Sequence, residues 1–360
     1  MDYDKIIDGL SFDELIGQTL CFDVYAKDDP KEVEKILSKI HVGGIFMGGG
    51  MTEEQIREYT RIANKYSTVP VIIAADVEHG AGNVLKNEVT LPNNMAWGAT
   101  DDADLIERAG RITGQICRKN GVHWTFSPVV DINYNFRSPE TNIRAISDDP
   151  KHIVKIAKAF ITGMQENGNM VTCAKHFPGQ GVDERNSHFC TAINTLSKEE
   201  WMNTYGYVYK ELFKAGVPSV MTGHVALPSC EDDIDEFYGA PPAGVSYSLM
   251  TKLLKGELGF DGCIVSDAMS MVGISASIPD ITKLGVSFLK AGGDMILFPE
   301  PTDFDEIKKA VESGELSMER LRDAVKRVLK LKDKVRLFEE NNEEREKAIV
   351  VEGDAESISQ

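Results

Sequence analysis

Eight short apolar runs, each followed by a longer amphipathic stretch, set the strongest limit on what this chain can fold into. The runs are "LCFDVY" (20–25), "GGIFMG" (43–48), "VPVIIAAD" (69–76), "VHWTFSPVVDI" (122–132), "MVTCAKHF" (170–177), "SVMTGHV" (219–225), "GCIVSDAM" (262–269) and "DMILFPE" (294–300). Between them lie helix-patterned stretches such as "PKEVEKILSKI", "TEEQIREYTRIANKY" and "DPKHIVKIAKAFITGMQENG". Many open on Ser, Thr, Asp or Pro and close on Gly, the usual start and stop signals. "SFDE" at Ser11–Glu14 reads as a capping box for the first of them. Apolar strands separated by helices bury both faces, the condition of a parallel sheet. Eight such units predict an α/β fold of the (β/α)8, TIM-barrel type over residues 1–338. An open doubly wound sheet would place a Gly-rich phosphate turn after its first strand. "GGIFMGGGMT" (43–52) follows the second and lacks the GxGxxG spacing. After Phe338 the composition turns acidic in "EENNEEREKAIVVEGDAESISQ". Residues 339–360 are therefore expected to be a linker or tail, or the approach to a further domain.

Charge narrows the partners. The formal net charge is −18, which disfavours nucleic acid and anionic membrane surfaces, since both call for basic patches. No apolar run approaches the roughly 18 residues of a membrane span. The start, "MDYDKIIDGLSFDELIG", has neither the basic nor the apolar region of a secretory signal. Cys21, Cys117, Cys173, Cys190, Cys230 and Cys263 are scattered, with no CxxC pair. That usage suits reduced, packing cysteines and a cytoplasmic protein.

In a barrel of this kind the site forms at the C-terminal ends of the strands. The third run ends in Asp76, the fifth in Lys175 and His176, the sixth in His224, the seventh in Asp267 and the eighth in Glu300, while Asp131 sits near the end of the fourth. Asp131 reads equally as a turn cap, His224 equally as a satisfied core histidine, and Glu300 as a loop charge. Asp267 stands apart, because "GFDGCIVSDAMSM" carries a buried strand straight into a carboxylate. The stretch "KHFPGQGVDERNSHF" (175–189) follows a strand directly and is punctuated by Gly, the profile of an active-site loop. Pro178, Gly179 and Gly181 can turn it over the barrel mouth and present His188. Its histidines and acids match no zinc spacing, so no metal or other cofactor is expected.

These residues resemble the family 3 glycoside hydrolases, in particular their β-N-acetylglucosaminidase (β-hexosaminidase) branch, over the chain to about residue 338. "AKHFPGQG…NSH" is similar to the branch motif KHFPGHG-x(n)-D-S-H, and "LGFDGCIVSDAMSM" to the nucleophile motif. "VIIAADVEHGAG", "LPNNMAWGAT", "NIRAISDDP" and "MTGHVALP" support it. The resemblance implies a (β/α)8 barrel that removes terminal β-linked GlcNAc with retention, from oligosaccharides or muropeptides. It implies Asp267 as nucleophile, His188 as general acid/base, and Asp76, Arg144, Lys175 and His176 as ligands of the sugar hydroxyls. The chemistry is consistent: retention needs an anionic nucleophile and a proton shuttle on opposite faces of the glycosidic bond. Histidine can be that shuttle because its ordinary pKa lies near operating pH.

Two departures from the family pattern bear on function. The third-strand motif EGGRVQR is replaced by "EHGAGNVL", which removes an arginine expected near the sugar and keeps a β-glucosidase-like exo-hexosidase open. Asn186 stands where the branch pairs an aspartate with the histidine. An amide orients a ring without stabilising its charge, and Asp183 or Glu184 are the acids near in sequence that could serve instead. Loss of that carboxylate also leaves room for phosphorolysis, in which phosphate replaces water as acceptor. A catalytically dead sugar-binding barrel is the reading from another class, and the presence of Asp267 and His188 argues against it.

Overall fold

The computed structural model describes residues 1–352 apart from positions 233, 277 and 279. Ten strands run through it: β1 Leu20–Val24, β2 Gly44–Met47, β3 Ile72–Ala75, β4 Trp124–Thr125, β5 Cys173–Phe177, β6 Ala192–Ile193, β7 Ser219–Thr222, β8 Val225–Ala226, β9 Cys263–Ser266 and β10 Ile296–Leu297. Eight of these fall inside the eight apolar runs. The other two, β6 and β8, form a small parallel pair of their own. The class is mixed α/β with parallel strands. One sheet has the order β10-β1-β2-β3-β4 and a second has β5-β7-β9, every pair parallel. Single parallel bridges, Trp124 to Val171 and Val265 to Met295, stand between the edges of the two sheets.

Strand length explains why the ladder is interrupted at these edges. The fourth run was read over eleven residues, yet only Trp124 and Thr125 pair as a strand. Pro128 has no N–H to give a ladder, and Val130 instead donates its N–H to the Lys175 carbonyl. Phe126 then turns inward to stack on Phe46 at 6.0 Å and to meet Trp124 edge-on at 4.8 Å.

The strands separate two apolar layers. Side chains alternate across a strand, so Cys21, Phe46, Ile72, Ala74, Trp124, Cys173, Met221, Cys263, Val265 and Leu297 gather in one buried cluster. Val328 and Leu331, from the helix Met318–Lys334, and Val335 just after it close that cluster from one end. The alternate positions, with the apolar stripes of the surrounding helices, form the larger second cluster. The capping box at Ser11–Glu14 is present, Ser11 accepting the Glu14 N–H and Glu14 that of Ser11, but it opens the second helix, Phe12–Gly17, since a short helix Tyr3–Asp8 precedes it. No helix among the described residues is long and apolar enough to cross a membrane, and all six cysteines are free thiols.

Beyond residue 338, a helix Asn342–Lys347 buries Glu346 against the strand N-termini. Its carboxylate meets Arg57 at 2.6 Å, His123 at 2.9 Å and Arg118 at 3.1 Å. His123 directly precedes β4, so this contact lies at the end opposite the polar strand termini. Positions 353–360 of the expected tail lie outside the described residues.

Candidate active site

At the C-terminal ends of β3 and β5 the polar residues meet. Lys175, buried within β5, places its Nζ 2.8 Å from Oδ1 of Asp76 and 2.6 Å from Oε1 of Glu78. Arg144, on a short helical turn Asn142–Arg144, grips the same Glu78 with Nη2 at 2.7 Å and Nε at 3.0 Å. Burial opposes the Glu78 charge, but Lys175 and Arg144 outweigh it and hold the carboxyl well below its usual range. Burial likewise opposes the charge on Lys175, and Asp76 and Glu78 raise its pKa above the ordinary value. Two cations and two anions thus form the floor, with Asp76 its most exposed member at 52%.

His176, next along β5, turns to a different partner. Its Nδ1 lies 2.7 Å from Oδ2 of the fully buried Asp131, whose Oδ1 also accepts the N–H groups of His176 and Gln180. A carboxylate on Nδ1 fixes the tautomer and leaves Nε2 for a ligand. Asp131 is therefore no idle turn cap. It orients a site histidine and anchors the start of the loop that follows.

Asp267 ends β9, its N–H donated to the Thr222 carbonyl and its Oδ1 accepting the Ala268 N–H at 2.8 Å. Burial pushes its pKa up, but His224, His176 and Lys175 together hold it below the ordinary carboxylate value. It is an anion at neutral pH. His224 is wholly buried at the end of β7 and its Nε2 lies 2.9 Å from the Ala268 carbonyl. Burial lowers its pKa against the pull of Asp267, and its ring braces the turn that carries the nucleophile candidate. It is a core histidine packed against the turn that follows Asp267.

The loop after β5 is held at several points. Gly181 and Ser187 accept the N–H groups of Asn135 and Gly273, and Asp183 accepts that of Ile193. His188 stands at its tip with 60% of the side chain exposed. Its Nδ1 lies 2.9 Å from Oδ1 of Asn186 and 3.2 Å from Oε1 of Glu140. The acids near in sequence do not fill that place. Asp183 is taken up by the N–H and Nε of Arg185, and Glu184 faces Arg137 and Asn135. That expectation is corrected: the carboxylate beside His188 comes from another loop.

Of the residues singled out from sequence, Asp76, Arg144 and Lys175 are in one cluster, and His176 and Asp267 are close enough to interact electrostatically. Glu300 is exposed, its N–H donated to the Asp303 carboxylate and its carbonyl accepting the Asp303 N–H, and none of these contacts reaches the cluster. Glu78 and Glu140 were missed. Glu78 had a faint signal, since two residues past Asp76 on an extended segment point the same way. Glu140 had only its place four residues before Arg144 on the loop after β4.

Comparison with known proteins identifies the family. The model of the glycosyl hydrolase family 3 N-terminal domain matches residues 11–331. A Cellulomonas fimi protein named "Beta-N-acetylglucosaminidase/beta-glucosidase" is 34% identical over 335 residues, 92% of this chain and 59% of that protein. Among solved structures, "Beta-glucoside phosphorylase BglX bound to 2FGlc" superposes with a TM-score of 0.91 at 30% identity, covering 99% of this chain and 65% of that one. A family 3 β-N-acetylglucosaminidase from Paenibacillus sp. str. FPU-7 gives 0.84 at 29% identity, covering 92% and 64%. The chain therefore spans about three fifths of the length of these relatives.

Proposed function

This chain belongs to glycosyl hydrolase family 3, and from that membership we propose that it is an exo-acting, retaining β-N-acetylglucosaminidase. It removes terminal β-linked GlcNAc from peptidoglycan or chitin fragments through a covalent glycosyl-aspartate. The observation that carries the reading is Asp267, held anionic at the end of a buried strand beside the loop bearing His188. Asp267 attacks the anomeric carbon while His188 gives a proton to the departing oxygen; His188 then takes a proton from the incoming water. Asp76 accepts sugar hydroxyls, Lys175 offers its remaining N–H, the exposed part of Arg144 adds a donor, and His176 presents Nε2. Such contacts speed the reaction where they tighten in the transition state.

The same reading takes the eight main strands as a closed (β/α)8 barrel over residues 1–338. In its support, one interior cluster draws side chains from all eight, and single bridges lie between the two sheets. Residues 339–360 are the segment beyond it. Six free thiols fit a cytoplasmic setting.

A second reading is phosphorolysis. It is favoured by the likeness to a β-glucoside phosphorylase over 99% of the chain, and by an exposed imidazole where an anionic acid would repel phosphate. A panel of p-nitrophenyl β-glycosides, with and without inorganic phosphate, tests both. The expected result is fastest release from the GlcNAc substrate, with free sugar of retained configuration and no dependence on phosphate. Sugar 1-phosphate as product would replace hydrolysis by phosphorolysis, and preference for the glucoside would redirect the specificity. No release from any member would overturn the assignment.

A further inference from the structure

We infer that Glu140 is the charged partner of His188, a positioning residue that supplies from the loop after β4 the carboxylate that position 186 lacks. The inference rests on the proposed role of His188 as proton shuttle. Three contacts converge on one oxygen: Oε1 of Glu140 accepts the Ser187 N–H at 2.9 Å and the Ser187 Oγ–H at 3.1 Å, and faces Nδ1 of His188 at 3.2 Å. Glu140 is only 6% exposed. The carboxylate is thus the fixed element, and the histidine loop is fastened onto it. Asn186 shares the same ring nitrogen at 2.9 Å, but its amide carries no charge.

The consequence for chemistry follows from the ring's two nitrogens. With Nδ1–H directed at a carboxylate, Nε2 is the atom that gives and later takes the proton. The anion also favours the imidazolium that forms when the shuttle acts as base. Behind Glu140, Nη1 of Arg144 lies 4.0 Å from Oε2 and donates to the Glu140 backbone carbonyl at 3.0 Å. Arg144 in turn holds Glu78, which holds Lys175. An unbroken line of alternating charge therefore runs from the sugar floor to the shuttle.

The other charged groups around this ring are few. Asp183 and Arg185 of its own loop neutralise each other. From β7, His224 senses both Asp267 and His188. Arg144 opposes Glu140 only from the far oxygen. An opposite charge within about 4–6 Å of a ring favours its protonated form.

The test is an NMR titration of the histidine rings in the full chain, with the His188 signal assigned by its absence in His188→Ala. Glu140→Gln keeps an accepting oxygen for Ser187 and removes only the charge. Its His188 midpoint should fall, and Asn186→Asp in that background should bring it back. Asn186→Ala alone should leave the midpoint within a few tenths of a unit, by the same reasoning. An unmoved midpoint in Glu140→Gln, or a full-unit drop in Asn186→Ala, overturns the inference, and the second arm decides even if the first variant does not fold. Turnover gives the independent check: the basic limb of kcat/KM should follow the NMR midpoint, whereas a merely structural Glu140 would change KM and leave the limb in place. Failure of the wild type on the whole glycoside panel would strike the parent reading, and the NMR result would still judge Glu140.

Discussion

Arg144 and Glu78 form a two-pronged pair, with Nη2 2.7 Å from Oε1 and Nε 3.0 Å from Oε2. Bidentate geometry of this kind is directional as well as strong. It fixes the guanidinium plane, and Lys175 is drawn to the same Oε1 that Nη2 meets.

Glu78→Gln should therefore destabilise the protein and weaken substrate binding together. Buried Lys175 and half-buried Arg144 lose the anion they share, and removing one partner of a buried pair costs about 3 kcal/mol or more. The sign with pH follows from the depressed carboxyl of Glu78. Its contribution is full above the unfolded value near 4 and is lost as pH falls through the lower folded value. Urea unfolding of wild type and variant should differ most near neutrality and converge in strong acid, while KM rises at least tenfold. Equal stability at pH 7 would mean the pair is solvated.

Asp267→Asn should lower turnover by several orders of magnitude and leave the unfolding midpoint nearly unchanged. A slow 2-fluoro sugar should label the peptide that holds Asp267, readable by mass spectrometry, since retention passes through a covalent intermediate. Label on any other carboxylate would remove Asp267 from its role.

Asp76→Ala should raise KM and depress kcat together, because contacts to hydroxyls that tighten in the transition state are lost. Lys175 keeps Glu78, so stability should change far less than in Glu78→Gln. Michaelis kinetics beside a melting curve separate the two, and a large loss of stability with intact kinetics would show Asp76 to be structural.

Lys332 offers a test away from the site. It is fully buried in the helix Met318–Lys334, with Nζ 2.6 Å from Oε1 of Gln18, and burial brings its pKa down to about 7. The folded protein then binds fewer protons here than the unfolded chain, so stability climbs as pH rises from 7 toward 10. The slope from this group is about 1.4 kcal/mol per pH unit. Lys332→Met should flatten that climb and raise stability at pH 7, measured by urea midpoints across the range. A climb of the same slope in the variant would assign it to other groups.

How far the sequence could be read depended on the range of the signal. All eight main strands lay within runs such as "SVMTGHV", because burial on both faces writes a continuous apolar run into a few residues. Their ends placed Asp76, Lys175, His176 and Asp267 on one rim for the same local reason. The partners were less visible. Asp131 and His176 are 45 residues apart, Glu78 and Arg144 66, and Glu140 and His188 48. No periodicity spans such gaps. The search for a partner to His188 therefore stayed within its own loop, at Asp183 and Glu184, and missed the acid that folding delivers from the loop after β4.

The charge line Lys175–Glu78–Arg144–Glu140 also bears on how such a site can drift over generations. Each inner member answers to two neighbours, so a neutral replacement at one position strands a charge at the next. Change there has to come in compensating pairs, or by way of unstable intermediates. Positions 79–85, whose side chains make no ion pair with the line, carry no such tether, and substitution there leaves the four charges paired.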